Sequence, residues 1–235
     1  MIQAVRQKTD HPLLEAVGLR RLRPGGGMPL LDIISITLHA GRAVGVMGPS
    51  GSGKTLLLRA LAMLDPLDAG EIRFRGETPR HAAVPGYRSR VVYLHQRPAL
   101  PGATVEAALR RPFAMAAHRD RAFDRDKVVA LLEYVGRDAA FLGKSTADLS
   151  GGEQQLTALV RAVQLDPAVL LLDEPTAALD PVAARAVETL LAEWLAESPG
   201  ERTFVWVGHN AEQAMRMTHE MKLLHDGRLL ELPPP

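Results

Sequence analysis

Cysteine is absent from the chain. That excludes disulfides, cysteine-ligated zinc and thiol catalysis, and it fits a cytosolic chain. Aromatic residues make up only 4% of the 235 residues, and none of them precedes Phe74. No apolar run approaches the roughly 20 residues that a membrane helix needs, so any link to a membrane is expected to run through a partner. The opening stretch MIQAVRQKTDHPLLEAV has no continuous apolar core and does not read as a signal peptide. Charge of either sign is not in excess. Twenty-eight Lys and Arg against 27 Asp and Glu leave a net charge of +1, which argues against a dedicated nucleic-acid surface. The eight histidines show no H-x-x-x-H or other metal-ligand spacing. What the chain does have is a 46% hydrophobic content over a length sufficient for one large domain, or one domain with a sizeable insertion.

The most informative stretch is Gly48-Pro49-Ser50-Gly51-Ser52-Gly53-Lys54-Thr55. It has the G-x-x-x-x-G-K-[ST] pattern of a phosphate-binding loop. Arg42 to Met47 read as a short strand before it and Leu56 to Leu64 as a helix after it, which is the context this motif needs. Glycines allow a tight turn that aims backbone N–H groups at phosphate oxygens, and the helix N-terminus adds partial positive charge. Lys54 is placed to reach the β- and γ-phosphates, and Thr55 to ligate Mg²⁺. The plain alternative is a glycine-rich turn before a helix, which the strand–loop–helix context disfavours. The loop alone leaves kinases, GTPases, helicases and transporter motors open.

Two strand-like pieces, Leu13–Leu19 and Ile33–Leu38, precede the loop, with a basic, glycine-rich turn from Arg20 to Gly27 between them. The loop's helix is apolar nearly all round and is expected to be buried. Short strands follow near Glu71–Phe74 and Arg90–Leu94. From about Pro98 to Leu149 strand signals vanish, and Val128, Leu131, Leu132 and Val135 fall at helical spacing before Gly136. Val169–Leu172 reads as a central parallel strand. Asp180-Pro181 opens a helix that buries Val187, Leu190, Leu191, Trp194 and Leu195. Thr203–Val207 is another buried strand, Asn210 caps the next helix, and Met221–Leu224 with Arg228–Leu230 form closing strands. The Pro233–Pro235 tail is expected to be disordered.

Three further segments narrow the class. In Leu149-Ser150-Gly151-Gly152-Glu153, Ser150 and Glu153 form a capping box. Two glycines in a first turn weaken a helix, so they make more sense where a ligand approaches an exposed, anion-binding N-terminus. The strand Leu170–Leu172 runs into Asp173 and Glu174, two carboxylates at the sheet edge beside the phosphate loop. Side chains alternate along a strand, which gives the two acids different tasks: Asp173 for Mg²⁺ and its waters, Glu174 for polarising the attacking water. His209 directly follows the strand Phe204–Gly208; a histidine there is by itself most often an exposed polar residue.

Taken in order, GPSGSGKT, Gln96, LSGGEQQ, LLLDEPT, ALD and His209 resemble the nucleotide-binding subunit of ABC transporters, from about Leu13 to Leu230. The resemblance implies an α/β phosphate-loop NTPase core with a mainly parallel sheet, an N-terminal antiparallel β subdomain and an α-helical insertion. It implies one domain over 1–235, with the core and β subdomain in 1–97 and 150–235 and the helical subdomain in 98–149. It implies that Ser150, Gly151 and Gly152 grip the γ-phosphate of ATP held by a second subunit. Gln96 then touches Mg²⁺ and the lytic water, Asp180 crosses the dimer interface, and His209 contacts the γ-phosphate. ATP and Mg²⁺ are the implied cofactors. The implied partners are a second copy of the chain and an integral membrane permease, with no direct nucleic acid. The implied location is cytoplasmic, peripheral on the inner face of the cell membrane.

The chain departs from this family twice. The aromatic that stacks on adenine is missing, and its position falls near Leu22 or Arg23; Arg20, Arg21 and Arg23 also read as a solvated strand face. A reduced preference for ATP over GTP is the expectation. Leu156 stands where arginine is common, which puts the wiring around the helix that Ser150 caps in doubt. The segment from Gln96 to His118, with Pro98, Leu100, Pro101, Thr104 and Pro112, is expected to dock the permease. VVYLHQRPALPGATVEAAL is similar to small stand-alone ATPases of bacterial iron-export systems, and phosphate-import subunits are similar there too. The rival reading is a non-transport ABC ATPase acting with nucleic acid or the ribosome. One cassette, a short insertion and no basic tail speak against it.

Overall fold

The computed structural model describes residues 12–232. The first eleven residues, which carry most of the signal-peptide reading, and the Pro233–Pro235 tail lie outside the described residues.

Two sheets organise the fold. A three-stranded antiparallel sheet pairs β1 (Pro12–Arg21) with β2 (Leu31–His39) on one side and β4 (Ala69–Phe74) on the other. A six-stranded sheet runs β5-β6-β7-β3-β8-β9, built from β3 (Val44–Met47), β5 (Val91–Leu94), β6 (Val169–Asp173), β7 (Thr203–Val207), β8 (Glu220–His225) and β9 (Arg228–Glu231). All its pairings are parallel except β8 with β9. Every residue of β6 and β7 is buried, as expected of central strands covered on both faces.

Alternation along those strands divides the core in two. Leu170, Leu172, Phe204 and Trp206 face one way, against α3 (Val105–Arg110), α4 (Arg125–Tyr134), α5 (Gly151–Val163) and α6 (Pro181–Glu197). Leu171, Val205 and Val207 face the other way, against Leu57, Leu58 and Leu61 of α1 (Lys54–Leu61) and against the small sheet. Each fully buried Leu, Val or Phe contributes about 1.5–3 kcal/mol relative to exposure, so both faces are needed. The five apolar residues expected to be buried on α6 are all in the core.

Several elements differ from their sequence expectation. α1 stops at Leu61 because Met63 turns to a φ of 53°, which leaves Leu64 outside the helix and 41% exposed. From sequence no element is expected between Phe74 and Arg90, where Val84–Arg90 forms a helix (α2) that contains Pro85 and Gly86. Proline is tolerated in a first turn, and Tyr87 anchors the segment by donating its hydroxyl hydrogen bond to the Leu61 carbonyl. Between Pro98 and Leu149 only α3 and α4 are α-helical; the rest is loops and short 3-10 turns. The spacing of Val128, Leu132 and Val135 does mark the buried face of α4, which Asp124 caps.

Among the described non-glycine residues with a positive φ, Ile33 is the only β-branched one. Ile33 lies at a φ of 57°, where β1 and β2 shift register, and its side chain is 68% exposed. A β-branched residue is disfavoured there by roughly 1–2 kcal/mol, and little burial offsets it. Ile33→Asn, whose side chain tolerates this region, is expected to raise stability by about 0.5–1 kcal/mol in urea unfolding. A lower unfolding midpoint would contradict the strain.

Candidate nucleotide site

Strand β3 delivers the glycine-rich loop to the carboxyl edge of the large sheet, and α1 leaves from it. Gly48 has a φ of 152°, and a Cβ there would stand 2.2 Å from the Leu224 carbonyl oxygen. Gly53, at a φ of 103°, passes the Leu30 carbonyl so closely that a Cβ would come within 3.1 Å. Only glycine fits either place. Between them Pro49, Ser50, Gly51 and Ser52 form the turn, closed by the Ser52 N–H donating to the Pro49 carbonyl at 3.2 Å. Lys54 bends back over this turn and donates to the carbonyls of Gly48 and Pro49 at 2.8 and 2.9 Å. Burial pulls the Lys54 ammonium below its usual pKa, and the carboxylates of Glu174 and Asp173 partly oppose that pull.

Asp173 ends β6. Its Oδ2 accepts from the Thr55 hydroxyl at 2.8 Å and from the Tyr93 hydroxyl at 2.9 Å. Burial first, then the Asp173 carboxylate, push the Tyr93 pKa above its usual value, so it stays a donor. Glu174 is not a continuation of the strand. It turns to a φ of 49° while its N–H donates to the Val207 carbonyl at 2.9 Å. This left-handed turn, rather than strand alternation, separates the two acids and corrects the reason expected from sequence. Both Glu174 oxygens are engaged: Gln96 Nε2 donates to Oε2 at 2.6 Å, and His209 Nε2 lies 2.7 Å from Oε1. Ser50, Gly51, Gly53, Lys54, Thr55, Asp173, Glu174 and His209 line one cavity of about 410 Å³. The structure thus brings together residues that are far apart in the chain.

An adjoining cavity of about 220 Å³ runs from the phosphate loop to Arg23, Met28, Pro29 and Leu30. Of the three arginines considered for base contact, only Arg23 lines it. Arg20 and Arg21 pair with Asp32 and Asp68 at 3.7 and 3.8 Å. Tyr93, Met28 and Leu30 were missed. Nothing in their local spacing marks them: Tyr93 comes from β5, and Met28 and Leu30 from the loop between β1 and β2.

Ser150, Gly151, Gly152 and Asp180 line neither of these two cavities. Ser150 caps α5, accepting from the Glu153 N–H at 3.3 Å, while Glu153 accepts from the Ser150 N–H at 2.9 Å. The Lys144 ammonium, with the Ser150 N–H, holds the Glu153 carboxyl below its usual pKa. Asp180 caps α6 by accepting from Val182 and Ala183 N–H groups at 2.9 and 3.0 Å, and these bonds lower its pKa. The two glycines have different causes. A Cβ on Gly152 would stand 2.9 Å from the Ala178 carbonyl oxygen, so packing demands this glycine. A Cβ on Gly151 would find its nearest neighbour at 3.8 Å, and the residue is exposed. Leu156 is buried in the core beside α5's other apolar residues, so the departure there alters packing. In the expected docking segment Thr104 caps α3, Leu100 packs on the core and Pro112 is buried, which leaves Pro101 among the exposed residues.

A loop of this build, at the edge of a parallel sheet and facing two carboxylates, makes the chain a phosphate-loop nucleoside triphosphatase by class. The sequence profile described as ABC transporter matches residues 31–177. The chain therefore belongs to the ABC transporter family, as an ATP-binding, ATP-hydrolysing subunit. It is 32% identical over 224 residues to the putative ABC transporter ATP-binding protein YjkB of Bacillus subtilis, covering 93% of this chain and 87% of that one. It is 33% identical over 209 residues to the Fe(3+) ions import ATP-binding protein FbpC of Pseudomonas fluorescens, covering 88% of this chain but only 57% of that relative. The ATP-binding cassette MJ0796, solved as a dimer bound to ADP and Pi, has the same fold, with a TM-score of 0.82 at 23% identity, covering 94% of this chain and 100% of that one. Among the described residues no helix is long and apolar enough to cross a membrane.

The two glycines give a separable expectation. Gly152→Ala should lower stability by about 1–2 kcal/mol through the clash with Ala178, whereas Gly151→Ala should leave the unfolding midpoint unchanged or slightly raised. Chemical denaturation of the two variants checks this, and equal effects would refute the division.

Proposed function

We propose that the chain is the motor of a transporter. In this reading two copies bind ATP between them and drive a separate membrane permease from the cytoplasmic face. The observation that carries the reading is the half-built site. Phosphate loop, Asp173, Glu174 and His209 share one cavity, while the exposed Ser150–Gly151 helix start stands outside it. A two-fold axis places one copy's helix start over the other's loop. The dimeric state of MJ0796 supports this arrangement.

Residues 1–235 then act as one domain, with 98–149 as a helical subdomain whose edge from Gln96 to His118 meets the permease. Lys54 exchanges its loop carbonyls for β- and γ-phosphate oxygens. The Thr55 hydroxyl and the Asp173 carboxylate, hard oxygen donors joined at 2.8 Å, fit Mg²⁺. A Mg²⁺ held there, with Gln96 beside it, would supply charge neutralisation for the β- and γ-phosphates. Gln96 and His209 occupy both Glu174 oxygens. A γ-phosphate attracts His209 Nε2 and so releases Oε1 to take a proton from the attacking water. Ser150, Gly151 and Gly152 of the partner copy close over the phosphate from the other side, and Asp180 meets the partner near its helix cap.

The cargo we propose is a metal ion, iron first, moved outward. The Val91–Leu109 stretch supports this; relatives named for Fe(3+) import support the metal but not the outward direction, and others are named for spermidine/putrescine import. Copurification with the permease and metal-dependent stimulation of ATPase activity test it.

Two outcomes are expected. Glu174→Gln should lower turnover by about 10²–10⁴-fold with ATP still bound, and it should accumulate a dimer seen by light scattering with Mg-ATP. A monomer throughout, or wild-type turnover, would refute the shared site. With Arg23 and Met28 in place of an aromatic, ATP and GTP should compete with affinities within about tenfold. A strong adenine preference would overturn that.

A further inference from the structure

Helices α6 and α7 (Ala211–Met217) hold a carboxylate with no part in the chemistry so far. Glu188 of α6 is only 7% exposed. Its Oε1 accepts from Gln213 Nε2 at 2.8 Å and from an Arg216 Nη2 at 3.1 Å, and its Oε2 accepts from an Arg185 Nη1 at 2.9 Å. Burial pushes its pKa up, but the hydrogen bonds from Gln213 and Arg216 outweigh this and keep it ionised. An apolar contact would join two helices at less cost than a buried charge, so the group calls for another explanation.

Gln213 supplies one. Its backbone N–H donates to Asn210 Oδ1 at 3.0 Å, next to His209. Its side-chain Oε1 accepts from the Thr176 hydroxyl at 3.1 Å, two residues beyond Glu174. Its Nε2 is spent on Glu188. Gln213 also lines a cavity of about 230 Å³ with Glu174, Thr176, His209 and Asn210. The amide suits its place because a hydroxyl needs an acceptor on one side and a carboxylate needs a donor on the other.

We propose that Gln213, oriented by the buried Glu188, is a positioning residue that clamps the start of α7, and with it His209, to the loop following Glu174. The clamp sets the distance between the group that meets the γ-phosphate and the group that takes the proton. It rests on the roles assigned above to Glu174 and His209.

A charge exchange tests the clamp in the purified chain. Gln213→Glu keeps an acceptor for Thr176 but sets two carboxylates face to face. Glu188→Gln added to it restores a donor–acceptor pair with the polarity reversed. Gln213→Glu is expected to lower kcat about tenfold or more, with KM and fluorescent-ATP affinity within about twofold of wild type. The double variant is expected to recover kcat to within about threefold. Thermal melting of each variant confirms that it is folded at the assay temperature. Wild-type kcat in Gln213→Glu, a parallel loss of nucleotide affinity, or a double variant no faster than its slower parent would overturn the clamp. His209→Ala run alongside separates the two levels: undiminished turnover there would remove the underlying site reading itself.

Discussion

Strands β3 and β6 end at the same edge of one parallel sheet, and the hydrogen bond from Thr55 to Asp173 closes the gap between them. The rest of the site depends on that contact. It fixes the first residues of α1 relative to the end of β6, so a phosphate group resting on the loop also faces the carboxylates. The sheet is rigid there because β6 and β7 are buried on both faces, and their side chains lock alternately into two cores. Tyr93 adds a second donor to the same Asp173 oxygen and narrows the carboxylate's freedom further.

Glu174 shows how a carboxylate can be held ready without being free. Its side chain is 15% exposed and both oxygens are paired. Removing one partner would leave a poorly solvated charge, so Gln96 and His209 together hold the carboxylate in place. The positive φ at Glu174 has the same logic. Strain of this kind persists only where surrounding bonds over-determine it, and the bond to Val207 does that here.

The capped helix start at Ser150 is a separate construction. Its capping box and the Lys144–Glu153 pair hold it from within the chain, and Gly152 sits under the Ala178 carbonyl. The loop from Glu174 to Asp180 therefore borders the cavity beside the phosphate loop at one end and packs on the start of α5 at the other.

The sequence by itself determined the phosphate loop, the acid pair, the cap at Ser150 and the buried strands. Each of these is a local pattern whose chemistry is complete within a few residues. It also marked Gln96 and His209, but only through their order along a resemblance. Tertiary structure alone decided that Gln96 and His209 meet on Glu174, that Tyr93 holds Asp173, and that Arg23 rather than its neighbours faces the phosphate loop. It likewise decided that Gly152 serves packing while Gly151 stands open. These are contacts between strands and loops far apart in the chain, and no local periodicity encodes which side chains a folded sheet will bring within hydrogen-bond distance.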